Sequence, residues 1–107
     1  MSVVIKNVYL AQVPAADTLL YTAPVLTQAR VLKCTVTNDT TTVTTLAIHA
    51  GAAGDGTLIL NERPIGSKET YECPEVVGQV INASGVLRAE AGVATQLTLK
   101  VDVVEIS

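Results

Sequence analysis

The chain contains one histidine, His49, and an imidazole is well suited to act as a general base near neutral pH. A base of this kind works with a nucleophile or an acid that the fold brings beside it. No recognisable motif in the sequence supplies such a partner. We therefore interpret His49 as an exposed or edge-strand histidine, name no catalytic residue, and expect that the protein is not an enzyme.

Two cysteines, Cys34 and Cys73, are the other candidates for chemistry. They could form a disulfide bond, contribute to a metal site, or be two small buried apolar residues. A metal site needs further soft ligands, and His49 is not at a ligand-like spacing from either cysteine. A disulfide would suit an oxidising compartment, which no other feature of the sequence indicates. We favour the buried apolar interpretation and expect no metal and no cofactor, while the disulfide stays open.

The glycine-rich segment 51–56 (GAAGDG) superficially resembles a phosphate-binding loop. The Walker pattern needs Gly-Lys-Ser or Gly-Lys-Thr leading into a helix. Here there is no lysine, and no helical pattern follows. We predict a flexible hairpin loop.

Carboxylates are scattered along the chain, and a calcium loop would need closely alternating oxygen ligands. The default interpretation is therefore a solvated surface. Glu69, Glu72 and Glu75 could together form an acidic patch that contacts a partner.

Charge and hydropathy argue against nucleic-acid and membrane partners. Seven Lys and Arg residues are spread over 107 residues without clustering, and the formal net charge is −3. Binding to a nucleic-acid backbone needs grouped cations. No apolar run approaches the roughly 20 residues that span a bilayer, and the N-terminus lacks the pattern of a signal peptide. We expect a protein that is made and used without secretion.

Hydrophobicity alternates with a period of two, which is typical of half-buried strands. The segments 32–37 and 45–50 both alternate, and a polar turn over 38–41 lies between them, so residues 28–50 are predicted to form two long strands. The clearest alternation runs through 97–103. Val104 and Ile106 then change face, which predicts a bulge near the C-terminus.

Turn residues delimit further predicted strands, over 3–11, 17–21, 57–62, 69–73 and 86–91. Leu58 and Leu60 share a face, and Pro64 is expected to end their strand because proline cannot donate to a ladder. The segment 74–84 is predicted to be a loop or short strand. About eight or nine short antiparallel strands at regular spacing predict an all-β fold, a single β-sandwich or jelly-roll-like domain over residues 1–107.

The order of these features resembles a group of small β-sandwich proteins encoded in the structural modules of tailed bacteriophages. The resemblance covers nearly the whole chain and is carried by the segments 20–24 (LYTAP), 29–38 (ARVLKCTVTN), 85–91 (GVLRAEA) and 103–106 (VVEI). One departure is Gly85-Val86, where such proteins often have Gly-Asp. The departure lies in a turn and bears on no function.

This resemblance implies a virion component without catalytic residues. The leading hypothesis is a capsid cement or decoration protein, made in the host cytoplasm and located on the capsid surface of the virion. Its expected partners are copies of itself, as a dimer or trimer, and the major capsid protein or another virion protein. An N-terminal arm, residues 1–6, and the C-terminal strand could both reach neighbours.

Two other function classes remain open. A receptor- or carbohydrate-binding module on a tail, a fibre or a head fibre would usually place aromatic rings against sugars, and this chain has three tyrosines and no tryptophan. A metal-dependent cupin enzyme would need several histidines and a carboxylate, which one histidine cannot satisfy.

Overall fold

The computed structural model describes residues 2–51 and 56–107. The predicted flexible loop over 51–56 falls mostly outside the described residues. In the described part the chain forms nine strands: β1 Val3–Gln12, β2 Thr18–Thr22, β3 Gln28–Asn38, β4 Thr44–Gly51, β5 Thr57–Ile65, β6 Thr70–Tyr71, β7 Val80–Ile81, β8 Val86–Ala91 and β9 Leu97–Ile106.

The strands form two antiparallel sheets. The first sheet has the order β1-β9-β3-β6, with β7 also paired to β3, and the second has the order β2-β8-β4-β5. The chain crosses between the sheets six times, after β1, β2, β3, β5, β7 and β8, so the two long strands predicted over 28–50 lie in different sheets. The all-β sandwich of about nine antiparallel strands that the alternation predicts is confirmed, and the jelly-roll-like arrangement stays a prediction.

The core between the sheets is aliphatic because alternate residues of each strand point inward. Along β9 the inward residues are the four that the sequence alternation indicates, and none of them is exposed: Leu97, Leu99, Val101 and Val103. Leu46 and Ile48 of β4 face them from the second sheet and are also buried.

The predicted bulge in the C-terminal strand is wrong. The irregularities lie instead in the two strands that pair with β9. The pairing register shifts between Asn7 and Tyr9 of β1, and between Val31 and Lys33 of β3. Val104 and Ile106 do lie on the outer face, because β9 keeps its alternation and turns Glu105 inward.

Pro64 does not end its strand. The strand β5 continues to Ile65 with Pro64 opposite Thr45. This is possible because β5 is the edge of its sheet, where a missing N–H donor costs no ladder bond.

The prediction that Leu58 and Leu60 share a face is also wrong, because Leu60 is buried and Leu58 is exposed. The pairing register of β4 with β5 shifts between Ile48 and His49, so Leu60 lies opposite the buried Ile48 and Leu58 lies opposite His49.

The strand predicted over 69–73 is shorter than expected, because only Thr70 and Tyr71 pair with β3. Cys73 then adopts a positive φ of 39°, which takes the chain out of the strand. The segment 74–84 is irregular and contains the short strand β7, as predicted.

Candidate interaction surface

The most exposed regular element of the molecule is β1. It is the edge strand of the first sheet and pairs only with β9. Eight of its ten residues are exposed, and the other two are half-buried. An edge strand of this length leaves a row of backbone groups open to another strand.

The alternation of hydrogen bonds identifies the backbone groups that face the open edge. Ser2 and Ser107 exchange two backbone bonds, at 2.8 and 2.9 Å. In an antiparallel ladder such bonded pairs alternate with pairs whose N–H and C=O groups point away from each other. Val3, Ile5 and Asn7 therefore direct their N–H and C=O groups away from β9, toward solvent.

An apolar surface lies on the outer face beside this edge. Val3 is paired with Ile106 and Ile5 with Val104, and both pairs belong to the non-bonded class, in which side chains approach most closely. Val3 is 59% exposed and Ile5 is 70% exposed, whereas Val104 and Ile106 are half-buried. We call these four residues the apolar end patch.

The inner face at the same end carries a polar cluster. The Tyr21 hydroxyl, from β2 of the second sheet, donates to the Glu105 carboxylate, and Lys6 Nζ lies 3.1 Å from Glu105 Oε2. The hydrogen bond from Tyr21 lowers the pKa of Glu105, and the nearby Lys6 lowers it further. Burial and the Glu105 carboxylate raise the pKa of Tyr21. The cluster joins the two sheets where the aliphatic core ends.

The bulge in β1 is held by Asn7. Its Nδ2 donates to Tyr9 O, to Val101 O and to Asp102 Oδ1, each at 3.0 Å. Asp102 also accepts from Lys100 Nζ at 2.7 Å, and the bonds from Lys100 and Asn7 lower the pKa of the Asp102 carboxyl. These contacts fix the direction of β1 between its exposed N-terminal half and the rest of the strand.

The opposite edge of the first sheet is built differently. Its edge strands, β6 and β7, have two residues each and pair with separate parts of β3. Between them lies an open cleft of about 320 Å³, lined by Leu32, Lys33, Thr35, Glu72, Pro74 and Val77. Short strands and a proline are devices that block strand addition, so this edge offers no continuous ladder.

The three glutamates that the sequence groups as an acidic patch take separate partners. Glu69 accepts the Gly66 N–H at 2.5 Å, Glu72 lies 3.7 Å from Lys33 Nζ, and Glu75 accepts the Tyr71 hydroxyl at 2.6 Å. The Arg63 guanidinium stacks 3.8 Å from the centre of the Tyr71 ring. Each carboxylate therefore stabilises local structure, and a joint role in binding a partner stays a prediction.

The expectation for His49 is wrong in its placement. His49 is half-buried and belongs to β4, which lies between β5 and β8 and is not an edge strand. It is paired with Leu58 on one side and Arg88 on the other. It contributes to the outer surface of the second sheet.

Cys34 and Cys73 are buried, as expected, and both are free thiols. The two thiols contact each other where the chain leaves β6 beside β3. Contact with the Cys73 thiol, and burial, raise the pKa of Cys34. Among residues 2–51 and 56–107, no group of three or more His, Cys, Asp or Glu side chains is arranged to hold a metal ion.

Sequence reasoning missed the apolar end patch and the cluster beneath it. The signal was present in the alternation of β9, because Glu105 occupies the inward position that follows Val103. A charged residue at an inward position needs a partner, and Tyr21 and Lys6 supply it from two other strands. Their identity depends on strand pairing, which the sequence pattern alone does not specify.

Comparisons with known proteins leave the family of this chain open. No family model matches it, and no curated protein matches it in sequence. One solved structure that it matches is titled "Structure of infectious bursal disease virus Gx strain", with a TM-score of 0.46 and 12% sequence identity. The match covers 97% of this chain and 31% of that chain, so this chain spans about a third of its length. A TM-score of this size does not establish a common fold and adds nothing about function.

Among the described residues there is no helix with the length and apolar character that crossing a membrane requires.

Proposed function

We propose that this protein is a non-enzymatic structural component of a virion, and that it acts as a capsid cement or decoration protein on the outside of a phage shell. The observation that carries the proposal is the open edge of β1 with the apolar end patch beside it. Val3 and Ile5 are more than half exposed in the isolated chain, and they lie beside an unpaired strand edge to which another chain can add.

Rigidity also supports the proposal. The sandwich has an aliphatic core shared by both sheets, and its polar cluster at Glu105 ties the sheets together next to the patch. A clamp between capsid subunits needs surfaces that hold their shape while many weak contacts act together. The resemblance of the segments 20–24, 29–38, 85–91 and 103–106 to small tailed-phage proteins points to the same role.

The carbohydrate-binding alternative has less support. The cleft between β6 and β7 is lined by aliphatic, charged and hydroxyl side chains, without an aromatic ring. A sugar site usually offers an aromatic face.

The proposal is tested on particles from the phage or prophage that carries the gene. Particles are purified by density gradient, and the chain is quantified by peptide mass spectrometry against the major capsid protein. We expect it to sediment with filled heads, in a fixed ratio to the capsid protein, and to stay bound after a wash in high salt, since apolar contacts resist screening.

Two surface variants, one in the apolar end patch and one outside it as its control, test which surface binds the particle. Ile5→Lys, which changes an exposed side chain of the patch, should release the chain from particles, whereas Leu58→Lys, which changes an exposed leucine of β5, should leave it bound. Absence of the wild-type chain from purified particles, or its presence only at the tail in a few copies, would overturn the cement role.

A further inference from the structure

We propose that two copies of this chain associate through their β1 strands, antiparallel to each other and related by a twofold axis at Val4, so that the first sheet continues from one copy into the other. The inference concerns the free protein and does not rest on its presence in a virion. The partner surface it names is β1 of a second copy.

The hydrogen-bonding pattern of the open edge limits the possible registers. Only Val3, Ile5 and Asn7 present free N–H and C=O groups in the N-terminal half of β1, as the exchange between Ser2 and Ser107 establishes. Bonded pairs across a new interface must therefore join these residues to one another. An edge of the same chain offers the same spacing and is its own complement, as a twofold interface requires.

Side-chain chemistry then selects one register. Pairing Val3 with Ile5 of the second copy gives two equivalent bonded pairs. Val4 then lies opposite Val4 of the second copy. Every side chain near the axis is then aliphatic, and Lys6 lies at the margin, opposite Ser2. In the register that places Ile5 opposite Ile5 of the second copy, Val4 would lie opposite Lys6, and the aliphatic match would be lost.

Charge is compatible with self-association. A charged group near a twofold axis faces its own copy and repels it, so such an interface tolerates only neutralised charges. Lys6 is the one charged residue among residues 2–7, and it is paired with Glu105 at 3.1 Å within its own chain. The approaching edges are therefore free of uncompensated charge.

Pairing of the two β1 strands would also account for the apolar end patch that lies beside the open edge of β1. In the paired arrangement the two apolar end patches meet across the new strand pair and form one stripe over β9, β1 and the corresponding strands of the second copy. Val3 and Ile5, now 59% and 70% exposed, would each gain an aliphatic neighbour on the side that is open. The blocked edge at β6 and β7 offers no equivalent ladder, so the first sheet can be extended through β1 alone.

Absolute mass tests the proposal first. The wild-type protein is measured by light scattering after size exclusion, over a series of concentrations up to millimolar. We expect a concentration-dependent rise from the chain mass of 11.2 kDa to twice that mass. Ile5→Lys should stay at the chain mass with an unchanged circular dichroism spectrum, because the residue is exposed, and Leu58→Lys on β5 should behave as wild type.

A cysteine variant tests the register independently of affinity. Val4→Cys would set two thiols opposite each other at a non-bonded pair, where the Cα atoms are about 4.5 Å apart, within disulfide range. Under copper–phenanthroline oxidation we expect a covalent dimer from Val4→Cys, and none from wild type or from Leu10→Cys on the same strand. A wild-type monomer at every concentration, a trimer, a dimer unaffected by Ile5→Lys, or equal cross-linking at Leu10→Cys would overturn the proposal.

Discussion

At the scale of single residues, the inward glutamate of β9 is the most informative feature. Glu105 continues the inward series that ends in Val103, and a carboxylate at that position would be costly to bury alone. The Tyr21 hydroxyl and the Lys6 ammonium satisfy it. The polar cluster thereby replaces the hydrophobic core at the end of the sandwich that carries the apolar end patch.

Replacing Tyr21 by phenylalanine should destabilise the protein at pH 7. The variant leaves the Glu105 carboxylate without its hydroxyl donor, and hydrogen bonds to charged groups contribute about 1.5 to 3 kcal/mol. We expect the free energy of unfolding, measured by urea denaturation, to fall by about 2 kcal/mol. Tyr9→Phe is the control, because the Tyr9 hydroxyl donates to Gln12 O in an exposed position and should cost less.

The difference between wild type and Tyr21→Phe should depend on pH. The pKa of Glu105 in the folded protein is lowered below its ordinary value of 4.5, so its contribution to stability is complete above that value and is lost as pH falls through the folded pKa. The two unfolding free energies should therefore converge in acid. A difference that stays constant between pH 7 and pH 3 would show that the hydroxyl acts through packing alone.

At the scale of elements, the crossover from β3 to β4 depends on one buried amide. Asn38 is fully buried, and its Nδ2 donates to Thr42 O at 2.8 Å and to Ile65 O at 3.0 Å. Its Oδ1 accepts from the Thr40 N–H at 3.1 Å. This side chain holds the turn to the end of β5 while the chain passes from one sheet to the other.

Removing that amide should be costly. Asn38→Ala removes the donor to Ile65 O and Thr42 O and the acceptor of the Thr40 N–H and hydroxyl. Thr42 O keeps the Thr40 hydroxyl as a donor, whereas Ile65 O loses its side-chain donor, and a buried unsatisfied group costs about 1 to 3 kcal/mol. We expect the free energy of unfolding to fall by about 3 kcal/mol and the midpoint of thermal unfolding to drop accordingly. Thr41→Ala, an exposed position in the same turn, should change stability by less than about 0.5 kcal/mol. Equal effects of the two variants would contradict the anchoring role of Asn38.

The elements were largely predictable from the sequence, and their pairing was not. Alternation in β3, β4, β8 and β9 is a local pattern, because inward and outward faces alternate residue by residue. The path of β5 past Pro64 depends on its being an edge strand, which is a property of the whole sheet. The bulges of β1 and β3 likewise depend on their neighbours. The candidate surface could not be predicted for the same reason: Val3 and Ile5 are adjacent to Ile106 and Val104 only after folding.

At the scale of the whole molecule, the two edges of the first sheet are unequal. One edge is blocked by short strands and Pro74, and the other is the long open strand β1. A sheet with one usable edge can be extended once, and the resulting dimer presents the joined apolar end patches as one face. On the proposed function this face is the surface that meets the capsid shell, and the dimer doubles the number of contacts each clamp makes.

The most direct test of the cement role is the heat stability of phage heads with and without this chain. DNA release from purified particles is followed by dye fluorescence during heating, for wild-type particles, for particles from a deletion of the gene, and for deleted particles to which purified protein is added. We expect the deletion to release DNA at a lower temperature and the added protein to restore the wild-type value, while Ile5→Lys fails to restore it. Equal release temperatures for wild-type and deleted particles would contradict a role in stabilising the capsid.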